Sequence, residues 1–312
     1  MRSAADRGRL NRSAAFASIG VAAVLVLLKA WAAWSTGSAA MLGSLADTAL
    51  DLIASLTTLA GVWIAAMPAD EEHRFGHGKA EALAAMIQIV LITLSAFGIA
   101  LRAIGQLVDG VRPEAAESGI AVSLVAMGAT LALLAWQRHV IRRTGSIAIA
   151  TDHLHYKSDL LLNLAVIAAL ALDQYGGIAG ADPAFGLLIA IWLAWGAWKA
   201  SRQVIDNLMD REWPEDKKQR LLAALARHPE LRGVHDLRTR TSGHRDFAQF
   251  HVWVDGNLPL REAHRIMEEI EVKLKAEFPD VEIIIHPDPE GHVDPGPGAS
   301  NILPRGSGRS ET

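Results

Sequence analysis

Up to about residue 205 the chain runs as apolar blocks separated by short polar breaks, each block long enough to cross a bilayer as a helix. The first, Ala14 to Trp34, is interrupted only by Lys29 and spans about 30 Å at helical rise. Ser38 to Met67, Ala82 to Leu107, Gly119 to Trp136, Ile147 to Leu172 and Pro183 to Ala200 follow. The pattern predicts a membrane all-α domain of six transmembrane helices over residues 14–205, after a short N-terminal segment, 1–13. The first block exceeds the apolar region of a signal peptide and no cleavage pattern follows it, so it reads as retained.

Beyond Ile205 charges recur every few residues and the apolar periods shorten. Glu215 to Arg227 reads as an amphipathic helix behind Pro214, with Leu221, Leu222 and Leu225 on one side. Val234 to Thr241 and Phe247 to Asp255 read as strands joined at Ser242-Gly243. Leu260 to Phe278 is a second helix, and Val281 to His286 a third strand ended by Pro287. This αββαβ order over residues 206–290 predicts a small α+β domain of ferredoxin or metallochaperone type, an open sheet covered by two helices. Residues 291–312 are rich in Gly, Pro and Ser without an apolar period, which predicts a disordered tail. Within it Leu303-Pro-Arg-Gly-Ser307 resembles part of an engineered protease site and is assigned no function.

Charge and composition narrow the partners. The hydrophobic fraction of 51% and mean hydropathy of +0.21 average over two regimes, while a net charge of −4 with no basic stripe argues against nucleic acid. Cysteine is absent, so no disulfide forms and any metal must be held by nitrogen and oxygen. No P-loop, HExxH pair or GxSxG elbow occurs, which speaks against nucleotide drive, a catalytic cofactor and an enzyme. Arg2, Arg7, Arg9 and Arg12 precede the first block, Arg138, Arg142 and Arg143 follow the fourth, and Lys199 and Arg202 close the sixth. Apart from Arg112 the opposite side is nearly bare of basic residues, so both termini are expected in the cytoplasm.

Against that background four ligand-type residues stand out. An ionised Asp near the middle of a spanning helix costs roughly 2.5–3.5 kcal/mol on insertion scales, so Asp47, Asp51 and Asp159 call for a purpose. Residues four apart share a helical face, and Asp47/Asp51 and His155/Asp159 therefore each aim two ligands one way. Counted along antiparallel helices, Asp47 and Asp51 lie roughly 14 and 20 Å from the outer face, Asp159 and His155 roughly 12 and 18 Å. The four groups fall in one layer and supply three carboxylates and an imidazole, a set suited to a tetrahedral divalent ion such as zinc. Further histidines gather in the second domain, where His251 and His286 alternate with apolar neighbours and are able to share a sheet face. His228, His244 and His292 read as surface residues.

Three stretches, Ser44-Leu-Ala-Asp47-Thr-Ala-Leu-Asp51, Asp70-Glu-Glu-His73-Arg-Phe-Gly-His77-Gly-Lys79-Ala-Glu81 and Asp152-His-Leu-His155-Tyr-Lys-Ser-Asp159, together resemble the cation diffusion facilitator family, and within it the bacterial iron/zinc branch of the ferrous-iron efflux type. The resemblance covers roughly residues 12–290 and implies a homodimeric exporter of the cell membrane, driven by proton exchange. It implies that Asp47, Asp51, His155 and Asp159 form the transport site. Asp70, His73 and His77 match a second zinc site in a loop that Gly76 and Gly78 keep from being a stable helix; the bland reading of that loop is a solvated turn with ordinary histidines. Lys79 is implied to pair with Asp210. His235, His251, His286 and Asp288 match a binuclear zinc site, with His264 a further ligand. Cargo on this reading is Zn2+, with Fe2+ and Cd2+ as alternatives, and the same ions serve as structural or regulatory ligands. A competing reading, a non-transporting membrane-anchored metal sensor or assembly factor, does not account for four ligands at one depth.

Overall fold

The computed structural model describes residues 4–36, 39–109, 120–176, 181–243, 245–292 and 301–303. Arg2, Arg112, His244 and Pro304 to Ser307 lie outside the described residues. The chain divides into two compact units, Met1–Leu208 and Met209–Thr312.

The first unit consists of α1 (Ala4–Thr36), α2 (Ala39–Ala65), α3 (Ala80–Asp109), α4 (Ile120–Thr144), α5 (Ile147–Gly176) and α6 (Ala181–Leu208). Among the described residues four stretches are able, by length and composition, to cross a membrane: Asp6–Ser35, Asp47–Ala65, Ala80–Val108 and Pro183–Leu208. Helix α5 is as long but is broken up by Thr151, Asp152, His155 and Ser158, all buried. Helix α1 begins at Ala4, ten residues before its apolar block, because Asp6 and Arg9 pair one turn apart and Leu10 packs against Ala14, Val62 and Ile149.

Packing fixes the neighbours. Helix α3 lies along α6 and α1 along α2, while α5 touches α2, α3, α4 and α6. At Gly61 the helices α2 and α3 come so close that a Cβ would stand 2.3 Å from the Cβ of Ala84, so only glycine fits there. Helices α4 and α5 turn through Gly145 alone with Ser146; Gly145 has φ +68 and its N–H closes on the Ile141 carbonyl at 2.9 Å.

In the second unit α7 (Glu215–Leu225) precedes β1 (Gly233–Ser242) and β2 (Arg245–Val254), then α8 (Leu260–Glu277) and β3 (Val281–Pro289). Strands β1 and β2 form an antiparallel hairpin and β3 joins β2 in parallel. The core is the apolar side of both helices, Leu221, Leu222, Leu225, Ile266, Ile270 and Leu274, set on Phe250 and Val252 of the sheet. A fourth strand, β4 (Asn301–Leu303), pairs antiparallel with β1, giving the order β3-β2-β1-β4. The outer edge of β1 offers unpaired backbone groups, and this short extended segment satisfies them; residues 293–300 and 304–312 of the expected disordered tail lie outside the described residues.

Candidate metal centre

Three clusters bring ligand atoms within 4.8 Å of one another among the described residues. The first lies inside the helical unit. His155 Nε2 stands 2.9 Å from Asp51 Oδ1 and 3.8 Å from Asp159 Oδ2, so α2 contributes one carboxylate and α5 the imidazole and a second. The four-residue spacing stacks His155 and Asp159 on one face of α5, as helix geometry dictates. The imidazole is buried, with Tyr156 edge-on at 5.7 Å. Asp47 stands outside this triad: it is exposed, one turn N-terminal of Asp51 on α2.

The second cluster occupies the loop between α2 and α3. Asp70 Oδ1 accepts the backbone N–H groups of His73 at 2.6 Å and Glu72 at 3.1 Å, an Asx turn that aims the carboxylate at both imidazoles. His73 Nδ1 lies 3.4 Å from Oδ1 and His77 Nε2 3.3 Å from Oδ2. The His73 N–H, followed by the two imidazoles, holds the Asp70 carboxyl below its ordinary range and keeps it ionised. Gly76, at φ +80, makes the bend that returns His77 to Asp70. Lys79 Nζ donates to the Leu208 carbonyl at 3.1 Å, and Asp210 pairs with Arg240 at 3.7 Å.

The third cluster is written across the sheet. His235 on β1 is the register partner of His251 on β2, which in turn partners His286 on β3. Three histidines therefore lie in one row across three strands, with Asp288 two residues along β3 on the same face. Asp288 Oδ2 meets His235 Nε2 at 3.1 Å and His251 Nδ1 at 2.9 Å, while Oδ1 meets His286 Nε2 at 3.2 Å. His235 and Asp288 are buried and His286 is exposed, so the row runs from core to surface. His264 does not join it; on the exposed face of α8 it pairs with Glu268 at 3.4 Å.

Two residues escaped the sequence reading. Asp236 sits at a bulge in β1, at φ +47, and its carboxylate stands 3.9 Å from His251 Nε2, beside the row. A lone Asp in a strand gives no such signal. His228, expected at the surface, is buried at the end of α7, where its backbone N–H closes on Leu225 at 3.0 Å.

The chain is similar to known proteins in both of its units. Residues 15–209 match the cation efflux transmembrane domain and residues 213–290 the cytoplasmic domain of cation efflux proteins. The cation-efflux pump FieF of Cronobacter sakazakii is 43% identical over 284 residues, 91% of this chain and 94% of the relative. That of Serratia proteamaculans is 41% identical over 288 residues, 92% and 96% of the two chains. Among solved structures, the metal-bound C-terminal domain of the CzcD transporter from Thermotoga maritima is 29% identical, covering 25% of this chain and 93% of its own, with a TM-score of 0.25. With both family domains matched in order and full-length relatives at this identity, the chain belongs to the cation diffusion facilitator family, in its bacterial iron/zinc efflux branch.

Proposed function

We propose that the chain carries Zn2+, with Fe2+ and Cd2+ as alternative cargo, out of the cytoplasm in exchange for protons. The observation that carries this reading is the triad of Asp51, His155 and Asp159, two carboxylates and an imidazole meeting inside a bundle whose outer surface is apolar. Such groups are costly in a membrane interior unless they serve a pathway. Asp47, a turn away on the same helix, is the fourth ligand in this reading. Six helices over residues 14–205 span the cell membrane with both termini cytoplasmic, and residues 206–290 form the domain through which two copies pair.

The chemistry of the triad links the two ions. Zinc requires a neutral imidazole and ionised carboxylates, and protonation of the same groups expels it. The loop cluster of Asp70, His73 and His77 serves to capture metal, and the sheet cluster of His235, His251, His286 and Asp288 holds structural or regulatory metal. A membrane-anchored sensor would need only the sheet cluster and gives the buried triad no task. The test is direct: vesicles holding the purified protein and an internal pH dye are given external zinc. Zinc entry with opposite proton movement, lost in Asp51→Ala, is the expected result; zinc flux without proton flux at any pH overturns the exchange.

A further inference from the structure

One turn before the triad on α5 lies a carboxylate for which the exchange chemistry has no use. Asp152, His155 and Asp159 occupy positions i, i+3 and i+7, a single stripe of the helix. Helix α2 presents a matching stripe, Asp51, Ser55 and Thr58. Polar contacts follow both stripes away from the triad: Ser55 Oγ meets Tyr156 Oη at 2.8 Å, and Tyr156 donates to the Ser18 carbonyl at 3.2 Å. The stripes end at Asp152.

Its carboxylate is held from three other helices. Ser18 of α1 donates to Oδ2 at 2.6 Å, Gln137 of α4 donates to Oδ2 at 2.7 Å, and Gln88 of α3 donates to Oδ1 at 2.9 Å. The donors are tied in turn. Gln137 also donates to Ser18 Oγ at 3.0 Å, and Gln88 reaches Thr58 Oγ1 at 2.5 Å and the Ala54 carbonyl at 3.2 Å, both on α2. One side chain thus fastens α5 to α1, α3 and α4, and through Gln88 to α2. Exposure changes sharply along the stripe: Asp51 and Asp159 side chains are 25% and 36% exposed, whereas Asp152, Ser18, Thr58 and Gln137 are at 0%. The carboxylates of the triad are thus part-exposed, while the polar groups between it and the Ile147 end are fully buried.

We infer that Asp152 is a positioning residue for transport, a polar latch that closes the triad off from the end where α5 begins and must release α1, α3 and α4 for the ion to arrive from that end. The inference rests on the transport reading above, which makes the Ile147 end cytoplasmic. Neutral donors aimed at a buried carboxylate form strong bonds that all break together when one helix moves, and a two-position element of this kind suits alternating access. Asp152→Asn keeps the shape but puts an N–H against the donors, so it opens the latch without making a large cavity.

Because the chain has no cysteine, Ser55→Cys alone reports on the sealed side. In full-length protein in vesicles, an impermeant thiol reagent is applied at the Ile147 end of α5, with zinc flux measured in parallel. The latch predicts slow labelling in the Ser55→Cys background and a rise of about tenfold or more on adding Asp152→Asn, the effect of losing one or two buried hydrogen bonds. Zinc flux should lose kcat while KM changes less than about twofold, because the triad itself is untouched. Gln137→Leu, which leaves the carboxylate in place, should give the same pattern in weaker form and decides the matter if Asp152→Asn misfolds. Unchanged labelling in the folded variants, or a loss of flux through KM alone, overturns the latch. A parent protein without zinc flux would instead overturn the transport reading, while the labelling comparison still decides whether Asp152 seals that side.

Discussion

The two units hold ligand atoms together with opposite interiors. In the helical unit many large apolar side chains point outward, Leu27, Trp34 and Phe97 among them, while Ser18, Gln88, Gln137 and Asp152 are buried. In the second unit Leu225, Phe250 and Ile270 fill the core and charged residues cover the surface. The difference is one of solvent. Lipid gives apolar side chains nothing to flee, so the bundle is joined by packing and hydrogen bonds, and its interior is where polar groups find partners. In water the sheet must bury its apolar face, and its ligands are left to the other face and the strand ends.

The hardest way to break the comparison is to remove a ligand where no solvent substitutes for it. Asp159→Ala deletes one of two carboxylates on His155 without adding bulk. Zinc flux in vesicles should fall by at least about a hundredfold, the upper end of the loss seen even for outer-shell partners, with the protein still folded. Flux near the unmodified level would remove Asp159 from the site.

At the sheet the loss should stay local. His251→Ala with His286→Ala takes two imidazoles from the row on Asp288. Zinc affinity of residues 206–290 should drop about a hundredfold or more in calorimetry, whereas flux through the full chain should fall only partly. Equal losses in both measurements would mean that the sheet cluster is part of the transport route.

What was legible in the sequence follows the same division. Helix periodicity puts His155 and Asp159 on one face, and counting helical rise puts Asp51 level with His155, where the two meet at 2.9 Å. Periodicity says nothing about which way a face turns in the bundle, so the exposure of Asp47 could not be read. Asp152 stood in the quoted motif, yet its role depends on Ser18, Gln88 and Gln137 arriving from three other helices. In the sheet, alternation placed His251 and His286 on a face, but the bulge that carries Asp236 beside them is a backbone irregularity without a sequence period. Strand β4 was invisible for a related reason: only the free edge of β1 makes Asn301–Leu303 a strand.

A smaller effect sharpens the position of Asp47. Replacing it by His adds a second imidazole near the triad, and a His2Asp2 set favours the smaller tetrahedral Zn2+ over Cd2+. Asp47→His should raise the ratio of zinc to cadmium flux by roughly tenfold or less, as ligand type tunes preference more weakly than ligand loss. A ratio that does not move would leave Asp47 outside the ion's coordination, in line with its exposure on α2.

The smallest expected effect separates burial from metal binding in the second unit. His228 is buried, and burial first, then the positive charge of Lys273, lowers its pKa below the ordinary value of 6.5; Glu230 opposes the shift and Arg227 adds to it. A lowered folded-state pKa means that the unfolded chain takes up the proton first. Above about pH 6.5 both states are neutral and His228 contributes nothing to the pH dependence; as pH falls below that value the unfolded state gains the proton and stability is lost. In residues 206–290 kept metal-free with chelator, the thermal midpoint should therefore fall by a few degrees as pH drops through that range, and His228→Gln should flatten part of the fall. The histidines of the sheet row are present in both proteins, so only the difference between the two profiles reports on His228. Parallel profiles with and without the histidine would show that its burial costs nothing on protonation.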